Sequence, residues 1–164
     1  MSRPGILIDI PGLGPRLIRA IVSDYTGTLS CGGKLAPGVS TRLRHLLDLV
    51  AIEIVTADTY GTANRELEGI LKPHPLTPGK RHDVEKQDFV MQLGARNVAA
   101  FGNGNNDRLL LETVKEAGGL AIAVDNGEGC AIDALTRANL FIVGAANALD
   151  LLLNPTACKA TLRF

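Results

Sequence analysis

The chain has 164 residues, enough for one domain with a substantial core and short for two. Hydrophobic residues make up 46% and charged residues 21%, which excludes a disordered or fibrous chain. Seventeen Lys and Arg balance 17 Asp and Glu, so no net field draws the chain to nucleic acid or an anionic membrane, and neither is an expected partner.

No apolar run reaches the roughly 18 residues of a membrane-spanning helix. Pro4, Pro11, Gly12, Gly14 and Pro15 interrupt the first twenty residues, so a soluble, cytoplasmic, non-secreted protein is expected. Cys31, Cys130 and Cys158 are far apart and form no C-x-x-C pair. Their odd number fits reduced thiols, and each reads as a buried small hydrophobe.

In chain order, residues 5–10 and 17–23 read as strands around Pro-Gly-Leu-Gly-Pro, which predicts an N-terminal hairpin. Leu43, Leu46 and Leu47 predict a helix over 39–49, introduced by Pro37-Gly38, and Ile52 to Thr56 returns to strand. A helix over 62–71 is expected to give way to an extended loop at 72–79, where three prolines exclude regular helix. The pattern then predicts helix 83–94, strand 98–101, helix 109–117, strand 120–124, helix 131–137, strand 140–143 and helix 145–153, with a tail from Asn154-Pro155. Strands alternating with helices of this length predict an α/β, doubly wound, Rossmann-like and mostly parallel sheet. One domain over 1–164 is expected, with the hairpin at 1–20 and a C-terminal tail at 155–164.

In such a sheet the ligand crevice lies beyond the carboxyl ends of the central strands. The residues to collect there are Asp24 to Thr28, Thr56 to Asp58 and Gly102 to Asp107, joined by Lys86 from the start of a helix. They can supply what phosphoryl transfer needs: a carboxylate nucleophile, hydroxyl and N–H donors, a fixed positive charge and oxygen ligands for Mg²⁺. Lys80 is the nearby alternative to Lys86. His45, His74 and His82 show no ligand spacing, and Asp125-Asn126-Gly127-Glu128-Gly129 reads as a turn, with lining the crevice as its alternative.

Four segments carry a resemblance. Asp24-Tyr25-Thr26-Gly27-Thr28-Leu29-Ser30 resembles D-K-T-G-T-L-T, with Tyr25 in place of Lys. Thr56-Ala57-Asp58-Thr59 with Thr62-Ala63 resembles T-G-D-N-x-x-T-A, and Lys86 with Val90 and Leu93 resembles K-x-x-x-V-x-x-L. Gly102-Asn103-Gly104-Asn105-Asn106-Asp107 resembles G-D-G-x-N-D. In this order they are similar to the haloacid-dehalogenase (HAD) phosphohydrolase superfamily, and within it most like the phosphorylation domain of P-type ATPases.

The resemblance implies a HAD-like fold and a Mg²⁺-dependent phosphohydrolase or phosphotransferase acting on a small phosphorylated molecule. Asp24 would form an aspartyl-phosphate and ligate the metal, to which Thr26 would lend its carbonyl. Thr56 and the Ala57 N–H would hold a phosphate oxygen, Lys86 would neutralise the transferring group, and Asn103 and Asp107 would complete the metal site. Asp58 and Asn106 would support them. The intervals of 32 residues from Asp24 to Thr56 and 30 from Thr56 to Lys86 leave no room for a cap domain. Capless members often cover the open site as homo-oligomers.

Two departures point to weak turnover. Thr26 stands where most phosphatases of the family carry a general acid/base Asp, and Asn103 stands where a metal-binding Asp is usual. A catalytically weak phosphate-binding or regulatory protein is therefore the alternative.

Overall fold

The computed structural model describes residues 2–164. The first hairpin pairs β1 (Ile6–Ile10) with β2 (Gly14–Ile18) antiparallel, Ile6 facing Ile18. The stretch expected as one strand at 17–23 is broken. β2 ends at Ile18 and β3 (Ala20–Ser23) starts a different sheet. Arg19 is the hand-over point: its N–H donates to the Asn97 carbonyl at 2.7 Å, and its carbonyl accepts the Ala51 N–H at 3.0 Å.

A short hairpin follows, β4 (Ser30–Cys31) with β5 (Lys34–Leu35), then α1 (Val39–Leu47) and β6 (Ala51–Thr56). α2 covers only Ala63–Glu66, less than the expected 62–71, because Leu67 leaves helical geometry and Pro73 waits downstream. In the proline-rich stretch β7 (His74–Pro75) pairs with the end of β6 at the sheet's edge, where a residue lacking an N–H is tolerated. α3 (His82–Leu93) ends at Gly94, whose φ of 89° gives the left-handed cap. Then come β8 (Val98–Gly102), α4 (Arg108–Ala117), β9 (Leu120–Asp125), α5 (Ile132–Arg137), β10 (Leu140–Val143) and α6 (Ala145–Leu153).

The expected C-terminal tail is instead a helix over much of its length, α7 (Thr156–Leu162). Pro155 precedes its first turn, where a missing N–H costs nothing, and Cys158 is buried beneath it.

The main sheet runs β10-β9-β8-β3-β6-β7 with every neighbouring pair parallel. β3 and β8 are buried at every residue and β9 at all but its last, as strands covered on both faces must be. Alternation splits their side chains between two cores. Ile21, Ile54, Phe101 and Ile122 face α1, α6 and the hairpin, whose Ile6, Ile8, Ile10 and Ile18 join the same cluster. Val22, Val55, Ala100, Ala121 and Ala123 face Val90 of α3, Leu110, Leu111 and Val114 of α4, and Ala134 of α5. The hairpin is thus part of the core. Of the cysteines only Cys158 is buried as expected; Cys130 is half-buried and Cys31 is exposed on the β4–β5 hairpin.

Candidate active site

β3 lies between β8 and β6 although it precedes both in sequence, so the crevice opens at the carboxyl ends of these three strands. Asp24 follows β3 directly. Its N–H donates to the Phe101 carbonyl at 3.0 Å, which extends the β3–β8 ladder by one residue and fixes the carboxylate's direction. The chain then turns around the Tyr25 carbonyl, which accepts the N–H groups of Thr28, Leu29 and Ser30 and the Ser30 hydroxyl. Tyr25, standing where the resembling motif has Lys, is fully buried, and its hydroxyl donates to the Gly33 carbonyl at 3.0 Å. A lysine there would bury an unpaired charge; the phenol pins the β4–β5 hairpin over the turn.

Lys86 is the centre of the site. Its side chain is fully buried, and its Nζ lies 2.6 Å from Asp107 Oδ1 and 3.0 Å from Asp24 Oδ1. Lys80, the alternative, is exposed. Burial alone would lower the ammonium pKa, but the two carboxylates outweigh it and raise it above its ordinary value, so Lys86 stays charged. The Asp24 carboxyl moves the other way. Desolvation, opposed by Lys86 and reinforced by Asp107, pushes it up from 3.8 to about 6. One cation shared between two buried carboxylates leaves a net charge of −1.

The helices are braced to hold this arrangement. Asp83 on the first turn of α3 accepts from Arg81 and from Arg108 Nη2 at 2.7 Å, and Arg108 opens α4 directly after Asp107. The Arg81 hydrogen bond leads in holding the Asp83 carboxyl down at about 2. Asp83 thereby ties the helix carrying Lys86 to the one that follows Asp107.

Asp107 is fully engaged. Oδ1 faces Lys86, and Oδ2 accepts the N–H groups of Asn103 and Gly104, each at 2.9 Å. Asn103 is also committed: Oδ1 accepts the Thr28 hydroxyl at 3.1 Å, and Nδ2 donates to the Gly129 carbonyl at 3.2 Å. Gly27, with φ 74°, makes room for it, since a Cβ there would lie 2.4 Å from Asn103 Nδ2.

Thr56 closes β6, and its hydroxyl accepts the Asp58 N–H at 2.9 Å. Asp58 holds a left-handed φ of 50°, and its Oδ1 accepts the Thr62 and Ala63 N–H groups at 3.0 and 3.1 Å. Asp58 therefore caps α2 beside the crevice. Ala57 between them is exposed. A cavity of about 30 Å³ lies against Thr56, Asp58 and Ala63.

The donors that could serve a metal are oxygens: the Asp24 carboxylate, the Thr26 carbonyl and Asn103 Oδ1. Such a set suits a hard cation such as Mg²⁺. Thr26 Oγ1, two residues after Asp24, is a buried hydroxyl with no hydrogen-bond partner, which is consistent with a polar group binding there. Yet no three His, Cys, Asp or Glu side chains converge among the described residues, and Asp107, expected to complete the set, already faces Lys86 through Oδ1 and two backbone N–H groups through Oδ2. A cation fits, held with less charge than a three-carboxylate site supplies.

Two residues given no role from the sequence complete the mouth. Glu128, in the loop after β9, accepts the Tyr60 hydroxyl at 2.9 Å and the Gly32 N–H at 3.1 Å. It joins that loop to the β4–β5 hairpin and the loop after β6. The turn character of residues 125–129 was legible; the meeting of three loops separated by dozens of residues was not.

Comparison with solved structures places this architecture. The cobalt-bound deoxy-D-mannose-octulosonate 8-phosphate phosphatase of Haemophilus influenzae matches 90% of the chain and 94% of its own, with TM-score 0.63 and 15% identity. The corresponding Moraxella catarrhalis phosphatase, solved with magnesium, phosphate and KDO, matches 89% and 94%, with TM-score 0.63 and 17% identity. A probable YrbI-family phosphatase of Pseudomonas syringae matches 90% and 94%, with TM-score 0.65 and 18% identity. The chain therefore has the HAD-like fold.

No protein-family model matches the sequence. An uncharacterized protein of Methanocaldococcus jannaschii, MJ0073, is 38% identical over 68 residues, which are 42% of this chain and 69% of that protein. The chain belongs to the same family as MJ0073. No helix among the described residues is long and apolar enough to cross a membrane.

Proposed function

We propose that the chain is a Mg²⁺-dependent phosphohydrolase that acts on a small phosphorylated molecule through an aspartyl-phosphate on Asp24. The observation that carries this reading is the fully buried Lys86 held between Asp24 and Asp107. Burying three charges is costly, and a structural role would be met at least as well by apolar residues. At the end of β3 the arrangement presents a nucleophile with a cation beside it.

Ionised Asp24 attacks phosphorus in line with the ester oxygen; the new O–P bond forms as the bond to the leaving group breaks. Lys86 offsets charge on Asp24 and on the incoming phosphoryl group, and the Thr56 hydroxyl and Ala57 N–H hold a phosphate oxygen. Mg²⁺, held by Asp24, the Thr26 carbonyl and Asn103, would supply further charge neutralisation. Water then attacks phosphorus and releases inorganic phosphate, which restores the Asp24 carboxylate. Thr26 cannot take a proton from that water or give one to an alkoxide, so aryl phosphates should react faster than alkyl ones and the phosphoenzyme should persist.

The committed Asn103 amide and the absent third carboxylate favour a second reading, a slow phosphate-binding or regulatory protein on the same site. Both readings suit a cytosolic protein that meets small phosphorylated molecules. A homo-oligomer would cover the open crevice.

The test is phosphate release from an aryl phosphate with and without Mg²⁺, beside Asp24→Asn. Turnover that requires the metal and disappears in the variant supports the phosphohydrolase. Equal release from both proteins rejects it.

A further inference from the structure

Glu128 is a carboxylate at the mouth that approaches the turn after Asp24 without serving Lys86. Its Oε1 is occupied by Gly32 and Tyr60, while no hydrogen bond engages Oε2 among the described residues. Oε2 lies 3.0 Å from the Cβ position of Gly27, three residues after Asp24, and the Asn103 amide nitrogen is 2.4 Å from that same point. No Lys, Arg or His is paired with Glu128 among the described residues.

Its loop is anchored. Asp125 Oδ1 accepts the Gly127 and Gly129 N–H groups at 2.9 and 3.0 Å, and the Ala131 N–H donates to the Asn103 carbonyl at 2.7 Å. Tyr60 beside it is half exposed, and it packs so closely on the β4–β5 hairpin that a Cβ at Gly33 would lie 2.6 Å from its own. An exposed aromatic ring next to a carboxylate with an oxygen free is suited to a polyol: the ring takes the C–H face and the oxygen accepts a hydroxyl.

We propose that Glu128 is a specificity-determining residue, which with Tyr60 admits neutral, hydroxyl-rich leaving groups and turns away those carrying a carboxylate. The proposal rests on the phosphohydrolase reading, because it places the leaving group on the side of Asp24 where Gly27 and Glu128 meet. A second carboxylate brought within about 4–5 Å of Glu128 in a wet mouth meets repulsion equivalent to about five- to tenfold in affinity. A hydroxyl in its place gains a charge-assisted hydrogen bond.

Sorbitol 6-phosphate and 6-phosphogluconate test this, since they differ by a hydroxymethyl against a carboxylate at one end. Binding of each is measured by calorimetry with Mg²⁺ on the Asp24→Asn chain, alone and combined with Glu128→Gln or with Tyr60→Phe. Turnover is measured on the same esters with Asp24 intact. The polyol ester is expected to bind at least fivefold tighter; Glu128→Gln should collapse that ratio toward one, and Tyr60→Phe, which keeps the charge, should preserve it. Discrimination lost in Glu128→Gln, on a chain that releases no phosphate from these esters or from an aryl phosphate, would uphold the role of Glu128 and reject the hydrolase. An unchanged ratio in Glu128→Gln, or no binding of either ester, overturns the proposal.

Discussion

Replacing Asp24 by Asn should stabilise the protein while abolishing turnover, and the gain should depend on pH. The Asp24 carboxyl is raised from 3.8 to about 6, with burial as the largest cause. Above pH 6 the native state therefore holds a charge that the unfolded chain accommodates more easily. Each pK unit corresponds to about 1.4 kcal/mol, so ionised Asp24 costs about 3 kcal/mol at pH 8. A raised folded pKa means that this cost is absent below 3.8, builds between 3.8 and 6, and is complete above 6. Asn keeps an oxygen for Lys86, whose ammonium remains paired with Asp107, so no buried charge is orphaned. For a chain of this length the gain corresponds to about 6–12 °C in Tm at pH 8. Thermal melts of both proteins at pH 8 and pH 4 read it directly. A variant no more stable than the wild type at pH 8, or stabilised equally at pH 4, would refute the argument that burial of ionised Asp24 is uphill.

Lys86→Met should have the opposite effect: two buried carboxylates would face each other uncompensated, and urea unfolding at pH 8 should show a loss of about 3–5 kcal/mol that shrinks in acid. Turnover of an aryl phosphate should rise with pH as Asp24 ionises, at a lower pH the more Mg²⁺ is present, and a profile with no acid limb would contradict that ordering. Gly27→Ala should destabilise by about 1–3 kcal/mol, since its φ is 74° and the new methyl would meet Asn103 Nδ2; the melt should fall and metal-dependent turnover with it.

The sheet was legible because its strands are written in a strong code. Val98 to Gly102 and Leu120 to Val124 are short apolar runs bounded by turn residues, and helices of regular period separate them. What escaped was decided at a distance. The division of residues 17–23 into β2 and β3 depends on Arg19 meeting Asn97 and Ala51, which periodicity cannot register. The helix after Pro155 carries little period of its own and exists because Cys158 has a core to enter. Asp24 follows β3, Thr56 closes β6, Lys86 lies in the second turn of α3 and Asp107 directly precedes α4, which is why their positions could be collected from the chain alone. Glu128 and Tyr60 could not, because a turn glutamate and a loop tyrosine take meaning only from the hairpin they clasp.

That clasp changes what the substitution at position 103 means. Read along the chain, Asn103 is a lost carboxylate, and restoring Asp should restore metal affinity and turnover. In the folded protein its Nδ2 donates to the Gly129 carbonyl and lies near Glu128 Oε2, so a carboxylate there would set oxygen against oxygen and add a second negative charge to the same corner. Asn103→Asp alone should therefore gain little in the Mg²⁺ dependence of aryl phosphate turnover. Asn103→Asp combined with Glu128→Gln, which removes the opposing charge, should gain severalfold more than the two single changes together, a coupling that a double-mutant cycle isolates. Equal gains from Asn103→Asp with Glu128 or Gln at position 128 would show that the two side chains act independently, and the amide would then stand as a plain loss of a ligand.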